Sequence, residues 1–145
     1  MNKEDEPILM SPYGDFLGIE LQDISPGRAL CTIELKDHHL NNGGRVHGGV
    51  LTSLADTAAG AAVRSIRPEG KLSATTDLSI SFIRPPTGHR LVAQAEVIHA
   101  GRQLFRTEIS IHCEDKLVAK TNATFMIVSP FKKIAKLRDN EIKVV

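Results

Sequence analysis

The residues able to do chemistry gather in one stretch, Asn41–Arg64, NNGGRVHGGVLTSLADTAAGAAVR. Asn41 to His47 is polar and rich in Gly and Asn, so it reads as a loop offering side-chain donors and acceptors. From Gly48 follow about five turns of Ala-rich helix without Pro. The Gly48-Gly49 pair leaves the first N–H groups of that helix uncovered by side chains, at the positive end of its dipole. Such an end can hold an oxyanion. Within the same helix stands Asp56. A buried carboxylate is costly unless paired, hydrogen-bonded or protonated. Asp56 is therefore either a structural residue tied to a neighbouring strand or a group with a chemical task, as general base or nucleophile.

Placed at about 100° per residue, Ser53, Asp56, Thr57, Gly60 and Arg64 form one narrow stripe. Val50, Leu51, Leu54, Ala55, Ala58, Ala59, Ala61, Ala62, Val63 and Ile66 fill most of the remaining circumference, so other elements must enclose the helix. Gly48 and Asp56 lie eight residues apart, about 12 Å along the axis. An Asp side chain is too short to bring water onto a carbonyl held at the start of its own helix. Two such helices packed antiparallel across a two-fold axis would bring the two groups together, with Gly60 easing the approach. A sheet on one side of so apolar a helix leaves an arc for a second copy to cover. At least a dimer is expected.

The surrounding elements can be read from period and punctuation. Pro12 to Leu17 forms a short helical turn, Gly18 to Ser25 a strand, Pro26-Gly27 a turn, and Arg28 to Leu35 a second strand. Arg67-Pro68-Glu69-Gly70 punctuates the end of the helix. Leu78, Ile80 and Phe82 alternate with polar residues in a half-buried strand, ended by Pro85-Pro86 and Gly88. His89 to Ala100, Phe105 to Cys113 and Leu117 to Val128 continue the pattern, with turns at Gly101-Arg102 and Glu114-Asp115. Two strands, one long helix and a run of four hairpin-linked strands make an α+β domain, an antiparallel sheet of five or six strands around one helix. The lead up to residue 11 is weakly packed, and the tail from Pro130 is basic and weakly amphipathic.

A chain of 145 residues forms one domain with a real core. A net charge of +1 gives no reason to expect a nucleic-acid partner. Cys31 and Cys113 lack metal-ligand spacing and read as buried, reduced thiols. MNKEDEPILM lacks the apolar run of a signal peptide, and no stretch approaches the ~18 apolar residues of a membrane span. A cytoplasmic protein is expected. His38, His39, His89, His99 and His112 show no metal-ligand spacing and read as surface or satisfied histidines. Ser53 and Ser65 lack a nucleophile-elbow context.

Asn41, Gly44, His47-Gly48-Gly49 and Leu54-Ala55-Asp56, followed by Phe82-Ile83-Arg84-Pro85, closely resemble the pattern of hotdog-fold thioesterases of the phenylacetate-pathway (PaaI-like) branch. The element order fits from about Leu17 to Val128. The resemblance implies a hotdog domain that hydrolyses acyl- or aryl-coenzyme A thioesters with no metal or prosthetic group, working as dimers usually paired into tetramers. It further implies that Asp56 is the catalytic carboxylate and that the Gly48 N–H polarises the thioester carbonyl. Asn41 and His47 line the same end with Gly49, and Thr75 stands where a hydroxyl helps orient the attacking water. Arg84 and Arg102, each beside a turn at a strand end, are candidates for the phosphates of coenzyme A, with solvated surface charge as the plainer reading of each. Two other readings stand beside it. One is a hotdog hydratase or dehydratase using His47 with Asp56; the other is an acyl-coenzyme A binding module without catalysis. The Asn-x-x-Gly-x-x-His-Gly-Gly spacing favours the thioesterase.

Overall fold

The computed structural model describes residues 11–130. The expected acidic lead and most of the basic tail lie outside the described residues. Small side chains decide how the elements meet. Ala55, Ala58, Ala59 and Ala62 along the helix α2 (Gly48–Arg64) are fully buried and let a sheet approach closely. That sheet has six antiparallel strands: β1 (Ile19–Ser25), β2 (Arg28–Glu34), β3 (Leu72–Phe82), β4 (Arg90–Ala100), β5 (Leu104–Cys113) and β6 (Lys116–Val128). It curls so far that α2 packs against all six strands. Ile33, Leu54, Leu91, Ile109 and Ile111 lie at the centre of the core, without exposure.

Two expectations change here. The strand order is β1-β2-β4-β5-β6-β3, so the last four strands are not a simple run of hairpins. Among the described residues β3 pairs only with β6 and forms a sheet edge, while β4 inserts between β2 and β5. The connection from Ile83 to His89 must cross three strand spacings, about 14 Å. Pro85-Pro86 keeps it extended and rules out a tight hairpin. Secondly, every apolar residue of α2 from Val50 to Val63 is buried within one chain. The curled sheet covers the whole apolar arc; past the first turn the open positions are Thr52, Ser53, Asp56, Thr57, Gly60 and the exposed Arg64. The width of that arc is therefore no argument for a second copy.

A short helix, α1 (Pro12–Leu17), lies against β1 and α2. Ser11 caps its start by accepting the Gly14 N–H, and Gly18 ends it in the left-handed region at φ 81°. Its Leu17 carbonyl is tied to the core through His39, which is almost wholly buried. The Lys36 N–H donates to His39 Nδ1 at 2.9 Å, so Nε2 carries the proton and donates to Leu17 O at 2.7 Å. His39 is thus a satisfied histidine. Cys31 and Cys113 are both buried and free, as the sequence suggests.

Candidate active site

The loop before α2 is folded by Asn41. Its Oδ1 accepts the N–H groups of Gly43 at 2.9 Å and Arg45 at 3.1 Å, while its own N–H donates to Arg45 O at 2.7 Å. Gly44 sits at φ 74°, a left-handed conformation that favours glycine. The Asn41 side chain is therefore occupied in shaping this turn. An open depression lies beside it, lined by Leu40, Asn41, Asn42, Gly43, Arg45 and His47.

The two glycines at the helix start differ. His47 occupies the N-cap position, and its Nδ1 accepts the Gly49 N–H at 2.8 Å. A Cβ on Gly49 would lie 2.9 Å from that nitrogen, so glycine is what admits the cap. Gly49, expected to offer a free N–H, has it engaged. The Gly48 N–H meets no acceptor among the described residues. Phe82, at the end of β3, lays its ring beside Gly48: a Cβ there would stand 3.2 Å from Cζ. Phe82 is nevertheless 56% exposed in the single chain.

Asp56 lies on the open stripe of α2, half-buried, and Thr75 Oγ1 donates to its Oδ1 at 2.8 Å. A bulge between Thr75 and Asp77 makes this possible. One extra residue there lets Thr75 share the helix-facing side of β3 with Leu78, Ile80 and Phe82, which strict alternation would forbid. The structure thus brings Thr75 to Asp56, and gathers Asn41, His47, Gly48 and Gly49 at the helix start. Arg84 follows Phe82 at that same end, close to β6 through its N–H to the Val118 carbonyl. Arg102 sits in the β4–β5 turn, at the opposite end of the sheet, where Leu104 pairs with Met126 and Met126 with Ala74. The two arginines are not brought together within one chain.

One contact has no forewarning in the sequence. The Tyr13 hydroxyl lies 2.9 Å from Ser53 Oγ, on the same stripe as Asp56. An aromatic residue in a short N-terminal turn carries no spacing signal that would single it out. No group of three or more His, Cys, Asp or Glu side chains able to hold a metal occurs among the described residues.

Residues 43–120 match the thioesterase superfamily. The chain belongs to that superfamily. This thioesterase is 36% identical over 96 residues, 66% of each chain, to the acyl-coenzyme A thioesterase PaaI of Escherichia coli. The solved structure of E. coli PaaI covers 82% of this thioesterase and 86% of its own chain, with a TM-score of 0.76 at 30% identity. The medium/long-chain acyl-CoA thioesterase YigI of E. coli is 26% identical over 132 residues, 80% of this chain and 85% of that one. A conserved protein from Pseudomonas aeruginosa superposes with a TM-score of 0.79 at 33% identity, covering 82% of this chain and 95% of that one. The sheet wrapped around α2 is the hotdog fold, and the protein is a hydrolase of thioester bonds.

Proposed function

We propose that this thioesterase hydrolyses acyl- or aryl-coenzyme A, in sites that each combine the Gly48 N–H of one protomer with Asp56 of its partner. The observation carrying this reading is the pairing of an unengaged N–H at the helix start with a carboxylate on the open stripe of the same helix. The carboxylate is oriented by Thr75. Within one chain these groups stand about 12 Å apart along the axis, so one substrate cannot use both. Antiparallel packing of two α2 stripes closes that gap. The outer edge of β3, 11 residues long and unpaired among the described residues, supports such an assembly. A pairing of edges there would set the Asp56 stripes of two copies facing each other.

In the reaction, the thioester carbonyl oxygen accepts the Gly48 N–H while Asp56 takes a proton from a water that attacks the carbonyl carbon. The tetrahedral oxyanion collapses, the C–S bond breaks, and the thiolate leaves and takes up the proton held by Asp56. The products are a carboxylic acid and coenzyme A. Direct attack by Asp56, giving a mixed anhydride that water then opens, balances equally and uses the same groups. In this reading Arg84, which follows Phe82 at the Gly48 end, meets a phosphate of coenzyme A. His47 is occupied as a helix cap, which weighs against a hydratase pairing of His47 with Asp56.

The test is complementation. Gly48→Pro deletes the N–H, and the preceding residue His47 already has φ −64° and ψ 134°, the conformation a following proline requires. Asp56→Ala deletes the carboxylate. Each variant alone should be inactive. Co-refolded in equal amounts, they form heterodimers with one intact and one doubly damaged site, restoring about a quarter of wild-type activity. No recovery, with heterodimers verified by mass, would reject the shared site.

A further inference from the structure

We infer that Tyr13 is a specificity-determining residue of this thioesterase, walling the acyl side of the site so that compact apolar acyl groups fit and long chains do not. The inference rests on the reading of the site given above. Its first support is position. Around α2, Asp56 lies between the direction of Gly48, about 80° away, and that of Ser53, about 60° away on the other side. Phe82 covers the Gly48 direction and Tyr13 reaches the Ser53 direction. The open stripe therefore runs between these two aromatic residues. β3 borders it on one side through Thr75 and Phe82, and α1 on the other through Tyr13.

Its second support is the construction of α1. Six residues make a poor helix alone, yet this one is capped at both ends and its Leu17 carbonyl is pinned by the buried His39. The buried face holds Gly14 and Leu17. On the open face, three residues apart, stand Tyr13, 58% exposed, and Phe16, 75% exposed. Large aromatic rings held on a rigid platform beside a reaction stripe suit contact with an apolar group. The hydrogen bond to Ser53 fixes the tyrosine ring, so the wall has a set position. Ser53 lies three residues from Asp56, about 4.5 Å along the helix. An acyl group starting at the carbonyl therefore meets the ring within a few carbons, the reach of an aryl or medium-length chain.

The experiment compares kcat/KM for phenylacetyl-, octanoyl- and hexadecanoyl-coenzyme A in wild type, Tyr13→Ala, Tyr13→Trp and Tyr13→Phe, with melting temperature and dimer mass recorded for each. Wild type should prefer the two shorter esters. Tyr13→Ala should raise the hexadecanoyl-to-octanoyl ratio by about tenfold or more, since pocket-wall changes of one or more methylenes act on this scale. Tyr13→Trp should lower that ratio, and Tyr13→Phe, which keeps the ring but loses its tie to Ser53, should raise it by less than Tyr13→Ala does. An unchanged ratio in both the Ala and Trp variants would overturn the inference while leaving the coenzyme A ester reading intact. So would a loss of dimer with the ratio unaltered, which would make Tyr13 a contact between copies. Failure of wild type to cleave any of the esters would remove the substrate reading and this inference with it.

Discussion

Thr75→Val is the most direct probe of how Asp56 is held, because it keeps a β-branched side chain in the strand and removes only the hydroxyl bonded to Oδ1 at 2.8 Å. A hydrogen bond to a charged group contributes about 1.5–3 kcal/mol. Thr75 is exposed and Asp56 half-buried in one protomer, so the lower figure applies. About 1.5 kcal/mol corresponds to roughly tenfold in rate if the bond persists in the transition state. Asp56→Asn removes the carboxylate of the proposed mechanism and should cost about 10²-fold or more. In the double variant the hydroxyl has no carboxylate to orient, so adding Thr75→Val to Asp56→Asn should cost less than about twofold. Thr75→Ser, which keeps the hydroxyl, should recover most of the wild-type rate. The assay follows free coenzyme A thiol at saturating and limiting substrate, with melting temperatures as a control for folding. A full tenfold loss from Thr75→Val on the Asp56→Asn background would show that the hydroxyl acts independently of the carboxylate. A wild-type rate in Thr75→Val would end its role altogether.

Gly49→Ala should push His47 off its cap, because the new Cβ would lie 2.9 Å from Nδ1; chemical denaturation should register a loss of about 1 kcal/mol. His39→Ala leaves a void and strips the Leu17 carbonyl and Lys36 N–H of their partner. Stability should fall by about 2–4 kcal/mol, with amide exchange in α1 rising more than in the sheet. Burial pushes the Cys31 thiol from its ordinary 9.0 up to about 11, partly offset by Arg64. An acid raised on folding stabilises the fold fully below its unfolded value and loses that contribution as pH climbs through the folded one. Stability should therefore drop by about 2–3 kcal/mol between pH 9 and 11 through this group. Cys31→Ala should flatten that part of the curve, and a drop of equal size in the variant would count against the assignment.

The parts of the structure that follow local period and punctuation were legible in the residues. α2 runs from Gly48 to Arg64 as its apolar pattern requires, and the stripe of Ser53, Asp56, Thr57, Gly60 and Arg64 is on its uncovered side. What escaped the sequence depends on non-local geometry. The bulge at Thr75 resets the alternation of β3, so no count of residues could say that this hydroxyl faces Asp56. The crossover that carries β4 away from β3 reflects how many strands must fit round α2, which hydropathy does not encode. Complete burial of the α2 apolar arc in one chain is likewise a matter of sheet curl. Tyr13 and His39 owe their places to partners 40 and 22 residues distant.

The position of β3 has a consequence for how the protein comes into being. Among the described residues its only neighbour in the sheet is β6, the latest of these strands in chain order, which must enter between β5 and β3. While a ribosome is still making the chain, α2 and β1 to β5 can collapse together, but β3 has no ladder to join. The register that turns Thr75 toward Asp56 is written in its pairing with Phe125, 50 residues downstream. Contacts this far apart in sequence form late and slowly. A nascent or C-terminally truncated chain would thus own its helix and most of its core before it owned an oriented Asp56. The hydrogen bond from Thr75 to Asp56 waits on the arrival of β6.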